Sequence, residues 1–118
     1  MNIDPFVERL VDALNEIEGV NTSSSCEGHE HHDESQVPYG TFYVNFSVDY
    51  NKRGWKALEY IVKAIQRHWD VTDNSTIALV PWFDGGLEWE LRGEYENKEE
   101  INDFASFIEN ADCLGVND

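Results

Sequence analysis

Four side chains that can bind a transition metal fall within seven residues of this chain: Cys26, His29, His31 and His32. Thiolate sulfur and neutral imidazole nitrogen are preferred zinc ligands, and a closed zinc site holds the ion with four ligands in a tetrahedral arrangement. The Cys-x2-His spacing lets the first two side chains reach one ion if the backbone turns at Gly28. The segment therefore predicts zinc binding through Cys26 and His29, with His31 or His32 as a further ligand.

Acidic residues lie among these candidate ligands, and their negative charge attracts cations and makes the imidazoles more basic. A stronger zinc motif would add a second, distant pair of ligands, and Cys113 is the candidate at a distance. Two other interpretations therefore stay open. The loop could capture metal without a physiological role, or it could be a solvated surface loop that binds nothing.

The same Cys26 and His29 could instead form a nucleophile and its base. The thiolate is the reactive form of cysteine, and a neighbouring histidine stabilises it. Against this interpretation, the surrounding negative charge disfavours a thiolate, and no orienting residue or oxyanion-hole motif is visible in the sequence. A small buried residue at the end of a strand is the simpler structural explanation of Cys26. We therefore predict no catalytic residues.

Side chains elsewhere in the chain have simpler explanations than chemistry. Trp82 and Phe83 precede a turn and could form a contact surface, but covering the sheet edge or the core is the simpler prediction. Glu88 and Glu90 fit the solvated face of a strand. His68, near the end of a helix, fits a cation that complements the helix dipole. The sequence contains no glycine-rich phosphate loop and no serine nucleophile motif.

The charge balance limits the classes of partner. The 118 residues include 24 acidic and eight basic ones, for a net charge of −16 at pH 7. This argues against nucleic acid and anionic membranes as partners, since both are bound largely through Lys and Arg. The charge favours solubility, cationic partners or divalent metals, although a saline environment or mimicry of nucleic-acid charge would also explain it. With no membrane-span pattern and no signal-peptide pattern, the prediction is a cytoplasmic protein with reduced cysteines.

The elements that must position the candidate ligands follow from hydrophobic periodicity and capping signals. Asp4 and Pro5 predict the start of a helix, and Gly19 lies beyond its end. Asn97 and Glu100 have the spacing of a capping box for the last helix. The remaining predicted segments are a weak strand 20–25, a loop 26–40, a strand 41–49, a helix 52–69, a strand 75–80 ended by Pro81, and a strand starting at Leu87.

The predicted order is therefore α-β-β-α-β-β-α in a single domain covering residues 1–118. Helices on one face of a four-stranded, mixed but mainly antiparallel sheet would bury every apolar stripe. The prediction is an α+β fold of two layers. The connection through the central helix allows its two flanking strands to pair in parallel with a right-handed crossover.

Residues 14–29 read LNEIEGVNTSSSCEGH, a helix followed by an SCxGH signature. This run resembles short bacterial and phage proteins of unassigned activity, in which a strand, a helix and a β-hairpin follow. It is more distantly similar to the wybutosine-synthesis family of S-adenosylmethionine-dependent tRNA-modifying methyltransferases, whose signature is SSCSGR. The second resemblance implies that Ser24, Ser25, Cys26 and Gly28 shape a ligand-binding turn. His29 stands where that family has Arg.

These observations lead to three functional hypotheses. The first is a non-catalytic binding or interaction module with a protein or small-molecule partner. The second is zinc binding through the loop from Cys26 to His32. The third, implied by resemblance, is a methyltransferase that modifies tRNA.

Overall fold

The computed structural model describes residues 4–29 and 38–110. The elements follow the predicted order: α1 (Pro5–Asn15), β1 (Val20–Cys26), β2 (Thr41–Val48), α2 (Lys52–Val71), β3 (Ala78–Phe83), β4 (Leu87–Glu94) and α3 (Glu99–Glu109). The α+β class is therefore confirmed. Within the described ranges, no helix combines the length and the hydropathy needed to cross a bilayer.

The four named strands form one open sheet in the order β1-β2-β4-β3, and every neighbouring pair is antiparallel. The prediction of a mixed sheet is therefore wrong for these strands. Strands β2 and β3 do run in the same direction on either side of α2, as the crossover prediction required. They do not pair, because the hairpin of β3 and β4 inserts β4 between them.

The third strand differs from its predicted bounds, because β3 starts at Ala78 and continues through Pro81 to Phe83. Proline lacks an N–H group, so it interrupts a strand that needs hydrogen bonds on both sides. Here β3 lies at the edge of the sheet, where an N–H group on the open side has no strand to bond. The prediction that Pro81 ends the strand is wrong for this reason.

Alternation along the strands explains why the helices cover one face. Phe42, Val44 and Phe46 on β2 are buried, and the register sets Leu91 of β4 beside Val44 on that same face. The buried hydrophobic residues of the three helices join these side chains in one core cluster. The intervening residues of β2 and β4 are polar and form the opposite, open face. The period-two alternation in the sequence thus places the apolar side chains on the face that the helices cover.

Candidate metal centre

Three potential ligands meet where β1 ends and α1 begins. One side-chain donor atom from each of Asp4, Cys26 and His29 lies within 4.8 Å of the others. Strand β1 ends at Cys26, and His29 follows after a turn, while Asp4 is the residue before α1. The structure therefore brings together the two metal ligands predicted from the Cys-x2-His spacing and adds a carboxylate from the other end of the α1–β1 unit.

Cys26 is buried, with 2% of its surface exposed, but it does not belong to the hydrophobic core cluster. Its register partner is Tyr43, so its side chain belongs to the open face of the sheet rather than to the face under the helices. The backbone N–H of Gly28 donates a hydrogen bond of 3.4 Å to Cys26 Sγ. Cys26 carries a free thiol. Its burial at a polar position distinguishes it from a small residue that merely fills the core.

Asp4 occupies the N-cap position of α1, yet its side chain makes no capping hydrogen bond. Its Oδ2 atom instead accepts a hydrogen bond of 3.1 Å from the backbone N–H of Glu27. The same oxygen lies 3.0 Å from Nε2 of His29, which donates to it when that nitrogen carries the proton. Asp4 thus holds the His29 imidazole in place in the absence of metal.

Glu27 lies between Cys26 and His29 and is 5% exposed, and both of its carboxylate oxygens have partners. Its Oε1 accepts a 2.7 Å hydrogen bond from the N–H of Phe6 in the first turn of α1, so this carboxylate caps the helix in place of Asp4. Its Oε2 forms a 2.8 Å ion pair with Lys98. Burial alone would lower the pKa of Lys98, but the hydrogen bond and the charge of Glu27 outweigh it and raise that pKa.

The turn between Cys26 and His29 requires glycine. Gly28 has a φ of 94°, in the left-handed region that side chains rarely adopt. A Cβ atom there would lie 2.4 Å from the carbonyl oxygen of Thr41 and 2.6 Å from the hydroxyl of Tyr95. That hydroxyl donates a hydrogen bond to the carbonyl of Glu27. The backbone is therefore held tightly on both sides of the candidate ligands.

The other predicted site residues have different outcomes. His31, His32 and Cys113 lie outside the described residues, so their part in a metal site stays a prediction. Ser24 and Ser25 lie within β1 rather than in a turn, and as neighbours in a strand they point to opposite faces. The structure therefore does not bring these two serines together with Gly28 as one ligand-binding turn.

Asp4 is the site residue that sequence reasoning missed. Its position before Pro5 explained it fully as a helix cap, which left no reason to look for a second role. The signal that could have found it is the glutamate at position 27. A second carboxylate that reaches the same helix N-terminus frees Asp4 to bind other groups, but only the folded arrangement of α1 beside β1 reveals this.

The structure provides an orienting group for a Cys26 nucleophile but does not expose its thiol. The pairing of Asp4 with His29 supplies the orienting group whose absence from the sequence argued against it. The thiol of Cys26, however, is closed off from solvent, and a nucleophile must be reached by its substrate. Burial, followed by the charges of Cys26 and Glu90, raises the pKa of the neighbouring Tyr43, so its phenol stays neutral there.

The remaining candidates lie away from this cluster. Trp82 and Phe83 were predicted to cover the sheet edge or the core. They lie on the edge strand β3 and are 38% and 76% exposed, so they do not cover the core. Glu88 and Glu90 lie on the open face of β4, as predicted for a solvated strand face. His68 packs edge-on against Phe104 and Phe107 rather than serving as an exposed cation, and burial lowers its pKa.

Comparisons with protein-family models, with curated proteins and with solved structures find no match to this chain. The two resemblances at residues 14–29 and the tRNA-modifying activity that one of them implies therefore stay predictions.

Proposed function

We propose that this protein is a non-catalytic binding module that holds a zinc ion between α1 and β1, with Cys26, His29 and Asp4 as the protein ligands. The observation that carries the proposal is the convergence of one sulfur, one imidazole and one carboxylate donor within 4.8 Å. Two of these residues were selected by their spacing in the sequence, and the third comes from a separate segment.

The donor set favours zinc over the harder metals. Thiolate and imidazole suit zinc, whereas calcium and magnesium take oxygen ligands almost exclusively. In a tetrahedral site with Zn–N near 2.0 Å and Zn–S near 2.3 Å, ligand atoms lie about 3.5 Å apart. Donor atoms up to 4.8 Å apart therefore need to move by only about 1 Å. Asp4 Oδ2 and His29 Nε2 are already 3.0 Å apart, and the proton between them must leave when both atoms bind the ion. Three protein ligands leave a fourth position for water or for a further ligand.

The surroundings support a bound cation in two ways. Glu27 and Lys98 neutralise each other, so a bound ion would face the carboxylate of Asp4 and the sulfur of Cys26, which binds zinc as a thiolate. A divalent ion compensates both of these negative charges. The backbone at Gly28 is packed against Thr41 and Tyr95, so little conformational entropy is lost when the ion binds.

The test is zinc titration by calorimetry of protein purified without a His-tag and without metal resin. We expect one equivalent to bind and to raise the melting temperature, because an ion that binds only the folded state stabilises it by mass action. Cys26→Ser and His29→Gln should each weaken binding at least tenfold. His68→Gln changes a histidine in the last turn of α2 that packs against α3; it is the matched control and should leave the affinity within twofold.

A comparison of Cys26→Ser with a variant of the His-rich loop separates this site from metal capture by that loop. The double variant His31→Gln, His32→Gln keeps Cys26, His29 and Asp4, and it should retain zinc-induced stabilisation. Stabilisation that persists in Cys26→Ser but disappears in the loop variant would contradict the proposal. So would the absence of any change in melting temperature at saturating zinc.

A further inference from the structure

The outer flank of α2 carries large apolar side chains that the fold leaves in water. Trp55, Val62 and Trp69 are 66%, 39% and 49% exposed. They are spaced by seven residues, close to two helical turns, so they lie along one side of the helix, with Glu59 and Gln66 between them. A line of this kind normally faces a core, but the buried face of α2 is formed by other residues: Gly54, Ala57, Ile61, Ala64 and Ile65.

The edge hairpin extends this apolar surface. The indole N–H of Trp69 donates to the carbonyl of Ile77 just before β3, and the hydroxyl of Tyr50 accepts from the N–H of Leu87 at the start of β4. The two ends of α2 are thus tied to the two ends of the hairpin. In the register, Phe83 pairs with Leu87 on the side of the sheet that bears the helices, and both are exposed.

The charge of α2 is opposite to that of the molecule. This helix carries five of the eight Lys and Arg residues but two of the 24 Asp and Glu residues. Lys56 and Lys63 each follow a member of the apolar line by one residue and therefore form a parallel basic line about 100° around the helix. Within residues 4–29 and 38–110, neither lysine forms an ion pair, whereas Arg53 at the start of the helix pairs with Glu18 and Asp49.

We propose that the α2 flank, defined as Trp55, Val62, Trp69, Lys56 and Lys63, docks an acidic amphipathic segment of a partner protein. Aromatic anchors beside unpaired lysines fit a ligand with apolar side chains on one face and carboxylates along its border. A second copy of this chain would bring another charge of −16 and is therefore disfavoured. Strand addition at β3 is disfavoured as well, because Pro81 lacks an N–H in the middle of that edge.

The test uses three synthetic peptides with the protein in its full length. The first is an amphipathic helix with Glu and Asp on its polar face, the second has Lys in their place, and the third is an acidic peptide of the first composition in scrambled order. The net charge of the whole protein predicts a preference for the basic peptide. The proposal predicts the opposite, namely that the acidic amphipathic peptide binds at least tenfold more tightly than the other two.

The four tryptophans report the location of binding through their indole N–H signals in nuclear magnetic resonance spectra. The signals of Trp55 and Trp69 should shift with the acidic amphipathic peptide, and the signal of Trp82, on the open face of the sheet, should not. The double variant Trp55→Gln, Val62→Gln should weaken binding at least tenfold with the fold retained. Trp82→Gln is the matched control and should change the affinity less than twofold.

The two lysines give a separate prediction. The double variant Lys56→Gln, Lys63→Gln should weaken binding of the acidic peptide and reduce the dependence of that binding on salt. Anionic phospholipid vesicles form a separate arm of the test. The proposal would be overturned by tighter binding to such vesicles than to the peptide, by a preference for the basic peptide, or by indole shifts confined to Trp82. Absence of binding to all three peptides at millimolar concentration would overturn it too.

Discussion

The end of β1 and the α2 flank both depart from simple packing, and they do so in opposite directions. At the end of β1, a carboxylate and a thiol are withdrawn from water, and Glu27 finds its partners inside the molecule. On the α2 flank, Trp55 stays in water although the core lies one helix face away. The polar groups of the first region bond within the fold, whereas Trp55 of the second region contributes little to the stability of the fold.

This comparison predicts that substitutions in the two regions affect different quantities. A change at the end of β1 should lower the free energy of unfolding, because it leaves a buried polar group without a partner or pushes the backbone apart. A change at Trp55, Val62, Lys56 or Lys63 on the α2 flank should lower the affinity for a partner and leave stability within about 0.5 kcal/mol, as is usual for surface positions. The predictions below test this division.

The largest effect is expected for Gly28→Ala, at about 3 kcal/mol or more. The left-handed backbone conformation costs a non-glycine residue about 1–2 kcal/mol, and overpacking typically adds 1–3 kcal/mol. The new Cβ would meet the Thr41 carbonyl at 2.4 Å, and a backbone atom cannot move aside cheaply. Urea denaturation monitored by tryptophan fluorescence measures the change.

Gly85→Ala is the matched control for this backbone effect. Gly85 also has a positive φ, of 75°, but among the residues that the structure describes, no atom beyond its own chain neighbours lies within 4 Å of the position of its Cβ. It should therefore lose only the conformational term, about 1 kcal/mol. Equal losses in the two variants would show that the packing around Gly28 adds nothing, which would contradict the tight enclosure described for the site.

The next effect is expected for Lys98→Met, at about 2 kcal/mol. Removing one partner of a buried ion pair leaves the other charge uncompensated, which typically costs 3–5 kcal/mol, and the partial exposure of Lys98 reduces that cost. The double variant Glu27→Gln, Lys98→Met should be more stable than Lys98→Met, because a neutral amide oxygen still accepts from the N–H of Phe6. If the double variant is less stable than Lys98→Met, the uncompensated charge of Glu27 is not the cause of the lost stability.

The smallest effect is expected for the pH dependence of stability that His68 causes. Burial against Phe104 and Phe107 lowers the pKa of His68, while Asp103 and Glu100 oppose that shift without cancelling it. Because the native pKa is lowered, the unfolded chain takes up the proton first, and stability is lost as the pH falls below about 6.5. The measurement compares the pH dependence of unfolding in wild type and His68→Gln.

The wild type should lose more stability than His68→Gln between about pH 7.5 and 5.5, since only the wild type carries this buried imidazole. Identical slopes would mean that the packed ring is as easily protonated in the folded protein as in the unfolded chain. Zinc must be absent from both samples, because His29 is a proposed ligand and metal competes with protons for it.

The sequence predicted the element order because the signals are local. The alternation along β2 and the apolar stripes of α1, α2 and α3 each depend on residues close together in the chain. The predicted capping box is only partly present. Glu100 accepts from the N–H of Asn97, but Asn97 accepts from Glu99, and the N-cap residue of α3 is Lys98. Strand pairing depends on distant residues, which is why the position of β4 between β2 and β3 was not predicted.

The candidate site was predicted in part for the same reason. Cys26 and His29 are near in sequence, and their spacing alone suggested that they bind the same metal ion. Asp4 lies more than 20 positions away, and its role depends on Glu27 capping α1 in its place. Trp55 has the helical spacing of a core residue, yet it is 66% exposed. Periodicity identifies a stripe but does not tell which of two adjacent stripes the core covers.

The most direct test of the metal site is the absorption spectrum of the protein with cobalt(II) in place of zinc. Cobalt takes up zinc sites, and a bound thiolate produces a charge-transfer band in the near ultraviolet. The account predicts this band together with the visible bands of tetrahedral cobalt in the wild type, loss of the charge-transfer band in Cys26→Ser, and displacement of cobalt by one equivalent of zinc. An unchanged band in Cys26→Ser, or a wild-type spectrum identical to that of hydrated cobalt, would contradict it.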